Sequence, residues 1–230
     1  GRLLEEARQS GIVSITINHP RARVRDLEKE IIGVFGISEA IVVRDAATLK
    51  QPRDALLWRL LGLAHATTNQ HRRAVASYLV SIEIEPLAPE THCDLGGSYE
   101  KLDRLDEAER AFTECVRLDP KVALAHAGLG WIALRRGHPA EAVAHLRRAV
   151  CLKPADPYAW HVLADAFGDL GDRRNQIEAA RQRARVAPTV DSLVYLAVVQ
   201  HEASRDGQAV APLEEALRID PRNPDVLAQL

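Results

Sequence analysis

The sequence predicts a mainly α-helical fold built from repeated pairs of antiparallel helices. Six prolines recur along the 230 residues with spacings of 34, 34, 34, 34 and 33 residues, and a fixed period of this size indicates a helical repeat. Between the prolines, apolar residues recur three and four positions apart, which gives each helix one buried stripe. The prolines are Pro52, Pro86, Pro120, Pro154, Pro188 and Pro221.

Placing each proline at position 32 of a unit divides the chain into five repeats and the start of a sixth. The repeats span 55–88, 89–122, 123–156, 157–189 and 190–223, and the partial unit spans 224–230. Position 8 is glycine or alanine in all five, so we expect the two helices of each repeat to cross closely there. The sixth unit stops within its first helix, and we therefore interpret the chain as a piece of a longer protein.

Prolines and glycines predict where the helices begin and end. A proline cannot donate a backbone hydrogen bond and disfavours helix in the residue before it, so the position-32 prolines end the second helices. Gly137 and Gly171 are expected in the turns between paired helices. Four other prolines stand where a helix would start, a position that proline tolerates. These are Pro89, Pro139, Pro157 and Pro224.

Repeat four departs from the pattern in its second helix. Gln176, Ala180 and Arg183 stand where the other repeats favour alanine, a large apolar residue and a small residue. We expect looser packing at this point.

The repeat resembles the tetratricopeptide repeat (TPR), whose motif is W-x2-L-G-x2-Y, then A-x3-F, then a small residue and proline. In repeat one, Trp58, Leu61, Gly62, Ala74 and Tyr78 stand at motif positions. The resemblance covers residues 55–223, and we assign the TPR domain to 53–230. It implies a right-handed superhelical solenoid in which the first helix of each repeat lines a concave groove that binds a peptide or helix.

Reading the groove positions of the TPR fold onto this chain gives a candidate peptide-binding set. Trp131, Tyr158 and Tyr195 are candidate anchors for an apolar or extended peptide, although one or two of these rings could instead fill gaps between repeats. Asp94 and Asp165 favour a basic residue in the ligand. The full set is Arg59, Glu90, Cys93, Asp94, Leu124, Trp131, Tyr158, His161, Asp165 and Tyr195.

Two TPR subtypes do not fit these residues. Chaperone-binding TPR domains clamp a carboxylate with Lys, Asn, Asn, Lys and Arg, whereas Asp94 at one of those positions would repel a carboxylate. The five positions here hold Arg59, Leu63, Asp94, Leu124 and Gly128. The asparagine ladder of the O-linked sugar transferases is replaced by Leu60, Asp94, Gly128, Val162 and Tyr195.

No catalytic site, metal site or cofactor is predicted. His92 and Cys93 are adjacent, and neighbouring helix residues point about 100° apart, so they rarely share an ion. Cys93, His126 and His161 lie on successive first helices, but no third orienting group accompanies a cysteine–histidine pair. The three cysteines are expected to be buried, in a reducing compartment.

Composition limits the possible partners. The formal net charge of −2 argues against bulk attraction to nucleic acid or an anionic membrane. No apolar run approaches the roughly 20 residues that a membrane span needs. We therefore expect a cytoplasmic protein whose partner is a protein or peptide of apolar and basic character.

Residues 1–52 do not fit the repeat and predict a small helix–strand–helix–strand segment. Ile12–Ile17 alternates β-branched residues, which favours a strand. Two short strands leave exposed edges, so we expect this strand to pack on the first repeat or on a second copy in a homodimer.

The same segment resembles the linker and start of the effector domain of SorC-type transcriptional regulators. The matching runs are Leu3–Arg8, Gly11–Val13, Asn18–Pro20, Leu27–Glu28, Phe35–Gly36 and Glu39–Val43. The resemblance implies a DNA-binding domain upstream of Gly1. Repeats follow where a sugar-binding domain would be expected, and the alternative is an α/β cap on the first repeat.

The main functional hypothesis is a non-enzymatic protein-interaction scaffold. One alternative is the regulatory part of a transcriptional regulator whose helix-turn-helix precedes residue 1. Another is an accessory arm of a larger enzyme.

Overall fold

The computed structural model describes residues 54–203 and 206–227, and within these ranges the chain forms helices and turns without a strand. The predicted N-terminal helix–strand–helix–strand segment lies outside the described residues. The helices are α1 (Ala55–Thr67), α2 (His71–Ile84), α3 (Pro89–Lys101), α4 (Leu105–Leu118), α5 (Ala123–Arg135), α6 (Pro139–Leu152), α7 (Pro157–Asp169), α8 (Arg173–Val186), α9 (Val190–Glu202), α10 (Asp206–Ile219) and α11 (Pro224–Leu227).

The chain divides into two compact units, Gly1–Pro120 and Lys121–Leu230. The described part of unit 1 contains the helix pairs α1–α2 and α3–α4, and unit 2 contains α5–α6, α7–α8, α9–α10 and the short α11. In each pair a first helix of 13 residues packs on a second helix of 14. The prediction of paired helices is confirmed.

Prolines set the helix ends as predicted. Each second helix ends two residues before a position-32 proline, as α2 does at Ile84 before Pro86. The prolines predicted to start helices are the first residues of α3, α6, α7 and α11. Asp156 adds a side-chain cap to α7, because its carboxylate accepts hydrogen bonds from the backbone N–H groups of Tyr158 and Ala159 at 3.0 and 3.4 Å.

The turn inside each of the first four helix pairs contains one residue with left-handed backbone conformation. Gly137 and Gly171 have φ of 75° and 72°, which confirms their predicted place. Asn69 and Asp103 take the same place with φ of 61° and 56°. These two turn residues were not predicted from the sequence, although asparagine and aspartate are the residues that tolerate this conformation best after glycine.

Close helix crossing explains the small residues at position 8. A Cβ placed on Gly96 would lie 2.7 Å from the Phe112 ring, and one on Gly130 would lie 2.5 Å from Leu146 Cγ. Phe112 and Leu146 are fully buried, so the second helix inserts its largest core side chain where the first helix has none. In repeat four both Ala164 and Ala180 are small and fully buried.

The polar Gln176, which replaces the alanine of the other repeats, does not open the helix pair α7–α8 to solvent. Gln176 is buried, and its amide occupies the space that a Cβ on Gly168 would take, because the two would be 2.8 Å apart. Its Oε1 accepts a hydrogen bond of 2.7 Å from Arg173. The polar side chain therefore has partners inside the pair.

The described helices are too short or too polar for any of them to traverse a lipid bilayer.

Candidate functional site

Three polar side chains of unit 2 meet where α7 and α9 approach each other. The Tyr195 hydroxyl on α9 donates a hydrogen bond of 2.5 Å to Asp165 Oδ1 on α7. His161 lies one turn before Asp165, with its Nε2 3.8 Å from Asp165 Oδ2. The His161 and Tyr195 rings meet edge to face, with centroids 5.1 Å apart. The structure thus brings together three of the residues predicted to line the groove.

Burial decides the protonation of this cluster. Burial, followed by the hydrogen bond to Asp165, raises the pKa of Tyr195, so its hydroxyl keeps its proton and remains a donor. Burial also lowers the pKa of His161; the Asp165 charge opposes this effect and Arg183 adds to it. At neutral pH the imidazole is therefore uncharged, and the Asp165 carboxyl group accepts from the neutral Tyr195 hydroxyl.

This geometry suits binding better than proton transfer. The distance of 3.8 Å between His161 and Asp165 exceeds a hydrogen bond, so the carboxylate does not orient the imidazole as in a catalytic triad. The Tyr195 proton is held by Asp165 rather than by His161. The Asp165 side chain is 40% exposed, so its second oxygen can receive a donor from a ligand.

Two residues around Tyr195 were noted in the sequence only as departures from the repeat. Arg183 lies over the Tyr195 ring, with Cζ 5.4 Å from its centroid, and Gln176 lies within hydrogen-bonding reach of the Tyr195 hydroxyl. The sequence therefore contained a signal for both residues, because each of them departs from the repeat pattern. Both polar exchanges in repeat four face the tyrosine of repeat five.

The other predicted groove residues of unit 2 lie on α5 and at the start of α7. Leu124 and Trp131 lie two turns apart on one face of α5, and Leu124 is 48% exposed. Trp131 and Tyr158 are half-buried and pack against the core of unit 2. Arg135 lies over the Trp131 ring, with Cζ 4.9 Å from its centroid. The rings therefore combine a structural contact with an accessible face.

The predicted groove residues of unit 1 form a different arrangement. Arg59 Nε on α1 donates a hydrogen bond of 2.8 Å to Asp94 Oδ2 on α3, and the two side chains are only 22% and 16% exposed. Burial raises the pKa of Asp94, Arg59 opposes this effect, and nearby Glu90 adds to it. Asp94 is thus occupied within the chain, while Glu90 is exposed.

Cys93 does not line a groove, contrary to the prediction. Its side chain is 3% exposed and lies against Cys115 on α4. Cys115 covers Cys93, whose short side chain does not extend past it, whereas the His161 side chain, at the same position of repeat four, is 37% exposed. Cys115 is buried as predicted, but Cys151 is exposed, which corrects the expectation of three buried cysteines.

Within residues 54–203 and 206–227, no three histidine, cysteine, aspartate or glutamate side chains cluster as metal ligands would.

Comparison with known proteins agrees with the helix pairing. Residues 93–159 match the family model described as Tetratricopeptide repeat. Protein O-mannosyl-transferase TMTC1 of Mus musculus is 24% identical over 159 residues, which are 67% of this chain and 16% of that protein. Peroxisome biogenesis protein 5 of Arabidopsis thaliana is 35% identical over 63 residues, which are 27% of this chain and 9% of that protein. The chain thus corresponds to a small part of each relative.

Among solved structures, YrrB, described as a TPR protein with an unusual peptide-binding site, superposes with a TM-score of 0.61 and 20% identity. The match covers 80% of this chain and 95% of that one. The described helices therefore have the tetratricopeptide-repeat fold, and residues 93–159 carry the sequence of that repeat.

Proposed function

We propose that this protein is a non-enzymatic scaffold that binds a peptide or helix of a partner protein on the first helices of its repeats. The fold supports this proposal, since helical repeats present extended binding surfaces, and one similar structure is described as peptide-binding. The observation that carries it is the Asp165 carboxylate, which Tyr195 holds in place while leaving it 40% exposed.

The ligand that fits unit 2 has apolar and basic groups in alternation. Leu124, Trp131 and Tyr158 offer apolar contact, and half-buried aromatic rings are frequent anchors of binding energy. Asp165 would receive a lysine or arginine of the ligand through a charge-assisted hydrogen bond. Arg183 lies over the Tyr195 ring, and its positive charge limits the number of basic groups that the surface accepts.

Asp165, and not Asp94, is the acid that selects a basic residue. The Asp94 carboxylate already accepts from Arg59 at 2.8 Å, so a ligand cation would have to displace an internal partner. Asp165 accepts instead from the uncharged Tyr195 hydroxyl, so its hydrogen-bond partner does not neutralise it. Of the two acids predicted to contact a ligand, Asp165 alone is therefore assigned that contact.

A matched pair of variants tests the assignment. Short fluorescein-labelled peptides alternating Leu and Lys, or Leu and Gln, are titrated with the full chain. We expect the Lys peptide to bind more tightly, and Asp165→Asn to weaken its binding about ten- to a hundredfold, as loss of one charged hydrogen bond would. Asp94→Asn should lower the melting temperature with little effect on that preference. Equal affinity of wild type and Asp165→Asn for the Lys peptide would remove the role of Asp165.

A further inference from the structure

A second concave site lies in unit 2 between α8, α9 and α10. It is an open cleft of about 670 Å³, within the size range of ligand sites. Its floor is α9, with Leu193, Leu196 and Gln200. One wall is α8, with Arg181 and Arg185, and the other is α10, with Ala211 and Glu215.

The cleft faces away from the Tyr195 cluster. On α8, Arg183 lies over Tyr195, while Arg181 and Arg185 are each two residues away and point to the opposite side, about 200° around the helix. Leu193 and Tyr195 on α9 are related in the same way. A ligand in the cleft would therefore not touch Asp165.

Next to the cleft, repeat five lacks the rings found at position 4 in the other repeats. That position holds Trp58, His92, His126 and Trp160 in repeats one to four and Leu193 in repeat five. At position 11, Gln200 stands where repeats two and four have Tyr99 and Phe167. Leucine and glutamine fill less of the space between successive second helices than two aromatic rings would.

Gln200 presents an unsatisfied acceptor at this site. The residue is 3% exposed, and its Oε1 is buried without a hydrogen-bond partner within the described residues. Buried amide oxygens are almost always paired, and an unpaired one is destabilising. A ligand that enters the cleft with an N–H or O–H donor would satisfy this oxygen.

The chemistry of the walls defines the rest of the ligand. Leu193, Leu196 and Pro188 provide an apolar floor. Arg185 is exposed and forms no ion pair within the described residues, donating to Gln182 at 3.4 Å, whereas Arg181 is paired with Glu178 at 3.1 Å. The available cation on this wall is therefore Arg185, and Glu215 on the opposite wall keeps an acid of the ligand on the α8 side.

We propose that the cleft is a second peptide-binding site, which takes a tryptophan or tyrosine side chain followed by an acidic residue. These two side chains combine a flat apolar body with one hydrogen-bond donor. The donor reaches Gln200 Oε1, the ring lies on Leu193 and Leu196, and the acidic residue pairs with Arg185. The opening of the cleft leaves the peptide backbone in solvent.

The test is an NMR titration of the full chain with the blocked peptide acetyl-Gly-Trp-Asp-Gly-amide. We expect the side-chain amide resonances of Gln200 and the backbone resonance of Ala211 to shift. Replacing Trp by Phe, which lacks the donor, should weaken binding about three- to tenfold. Absence of binding, equal affinity for the Phe peptide, or shifts confined to Trp131, Tyr158 and Asp165 would overturn the proposal.

Variants separate the ligand contacts from structural effects. Gln200→Leu should fold and lose the preference for Trp over Phe, because it removes the acceptor without leaving a polar atom buried. Leu193→Trp restores the residue of repeats one and four and should abolish binding by filling the cleft. Arg185→Gln, at an exposed position, should weaken binding of the Asp peptide and leave binding of the corresponding Asn peptide unchanged.

The proposed binding sites in the groove and in the cleft can be tested independently. Asp165→Asn should leave binding of the Trp-Asp peptide unchanged, and a loss there would place that peptide in the groove and overturn the cleft assignment. Unchanged affinity of the Trp-Asp peptide for Leu193→Trp, or for Arg185→Gln, would do the same.

Discussion

The Tyr195 hydroxyl donates to Asp165 Oδ1 at 2.5 Å and so joins the first helices of two successive repeats, α9 and α7. A neutral donor fixes the orientation of the carboxylate without cancelling its charge. Asp94 differs in this respect, because Arg59 both orients and neutralises it. The same residue type, placed on the first helices of two repeats, is thus held by a neutral donor in one and by an internal ion pair in the other.

Removing the Tyr195 hydroxyl should weaken both stability and binding. Tyr195→Phe deletes the donor to Asp165 and keeps the ring, so we expect a loss of about 1 kcal/mol in the free energy of unfolding. The freed carboxylate becomes mobile, and affinity for the Leu–Lys peptide should fall severalfold. Urea denaturation and fluorescence anisotropy measure the two effects, and affinity for the Leu–Gln peptide is the internal control. A variant that binds both peptides as wild type does would mean that the hydrogen bond does not organise the site.

The aromatic residues Trp131 and Tyr158 should contribute more to binding than to stability. Each is half-buried, so an alanine variant loses contact with both the core and the ligand. The control is Ile132→Ala, next to Trp131 but fully buried, which should lose about 2–5 kcal/mol of stability with affinity retained in the folded protein. Affinity and melting temperature are measured for all three. Parallel losses at Trp131 and Tyr158 would show that these rings only fill gaps between repeats.

Much of the fold could be predicted because residues close in the sequence determine where each helix begins and ends. The position-32 proline ends each second helix in the same way, and the φ of 75° at Gly137 needs no tertiary information to be expected. The close crossing at Gly96 could be predicted too, because its repeat position is glycine or alanine in all five repeats, and small residues recur where two helices cross closely.

The site could be predicted only in part, because partners across repeats depend on side-chain reach. Position alone placed Cys93 and His161 in the same groove, yet the shorter side chain is covered by Cys115. Position also made Asp94 and Asp165 equivalent. Their difference arises from Arg59 in one place and Tyr195 in the other, and neither pairing follows from the spacing within a repeat.

Neighbouring glycines of α3 should respond oppositely to alanine. A Cβ at Gly96 would lie 2.7 Å from the Phe112 ring, whereas one at Gly97 would meet nothing within 4 Å. We expect Gly96→Ala to destabilise by about 1–3 kcal/mol through overpacking. Gly97→Ala should stabilise by roughly 0.5–1 kcal/mol, because alanine loses less backbone entropy in a helix. Urea denaturation of the full chain compares them. Equal effects would mean that the ring moves aside and that the helices do not cross tightly here.

His65 should make the fold sensitive to acid. The side chain is 2% exposed, and burial, with a smaller contribution from Arg73, lowers its pKa from 6.5 to about 4. Below 6.5 the unfolded chain binds a proton that the folded chain excludes, so protonation favours unfolding. The contribution of the neutral His65 to the free energy of unfolding is complete above pH 6.5 and is lost progressively as the pH falls towards 4.

The variant His65→Phe tests this role, since Phe167 occupies the same repeat position in α7 and is buried there. Melting temperatures of wild type and His65→Phe are compared between about pH 7 and pH 5, the range in which unperturbed histidines titrate. The decrease on acidification should be smaller in the variant but not zero, because burial also lowers the pKa of His71, His145 and His161. The exposed His138 provides the control, and His138→Gln should retain the full decrease. Identical acid sensitivity in His65→Phe and wild type would show that His65 becomes protonated without unfolding the chain.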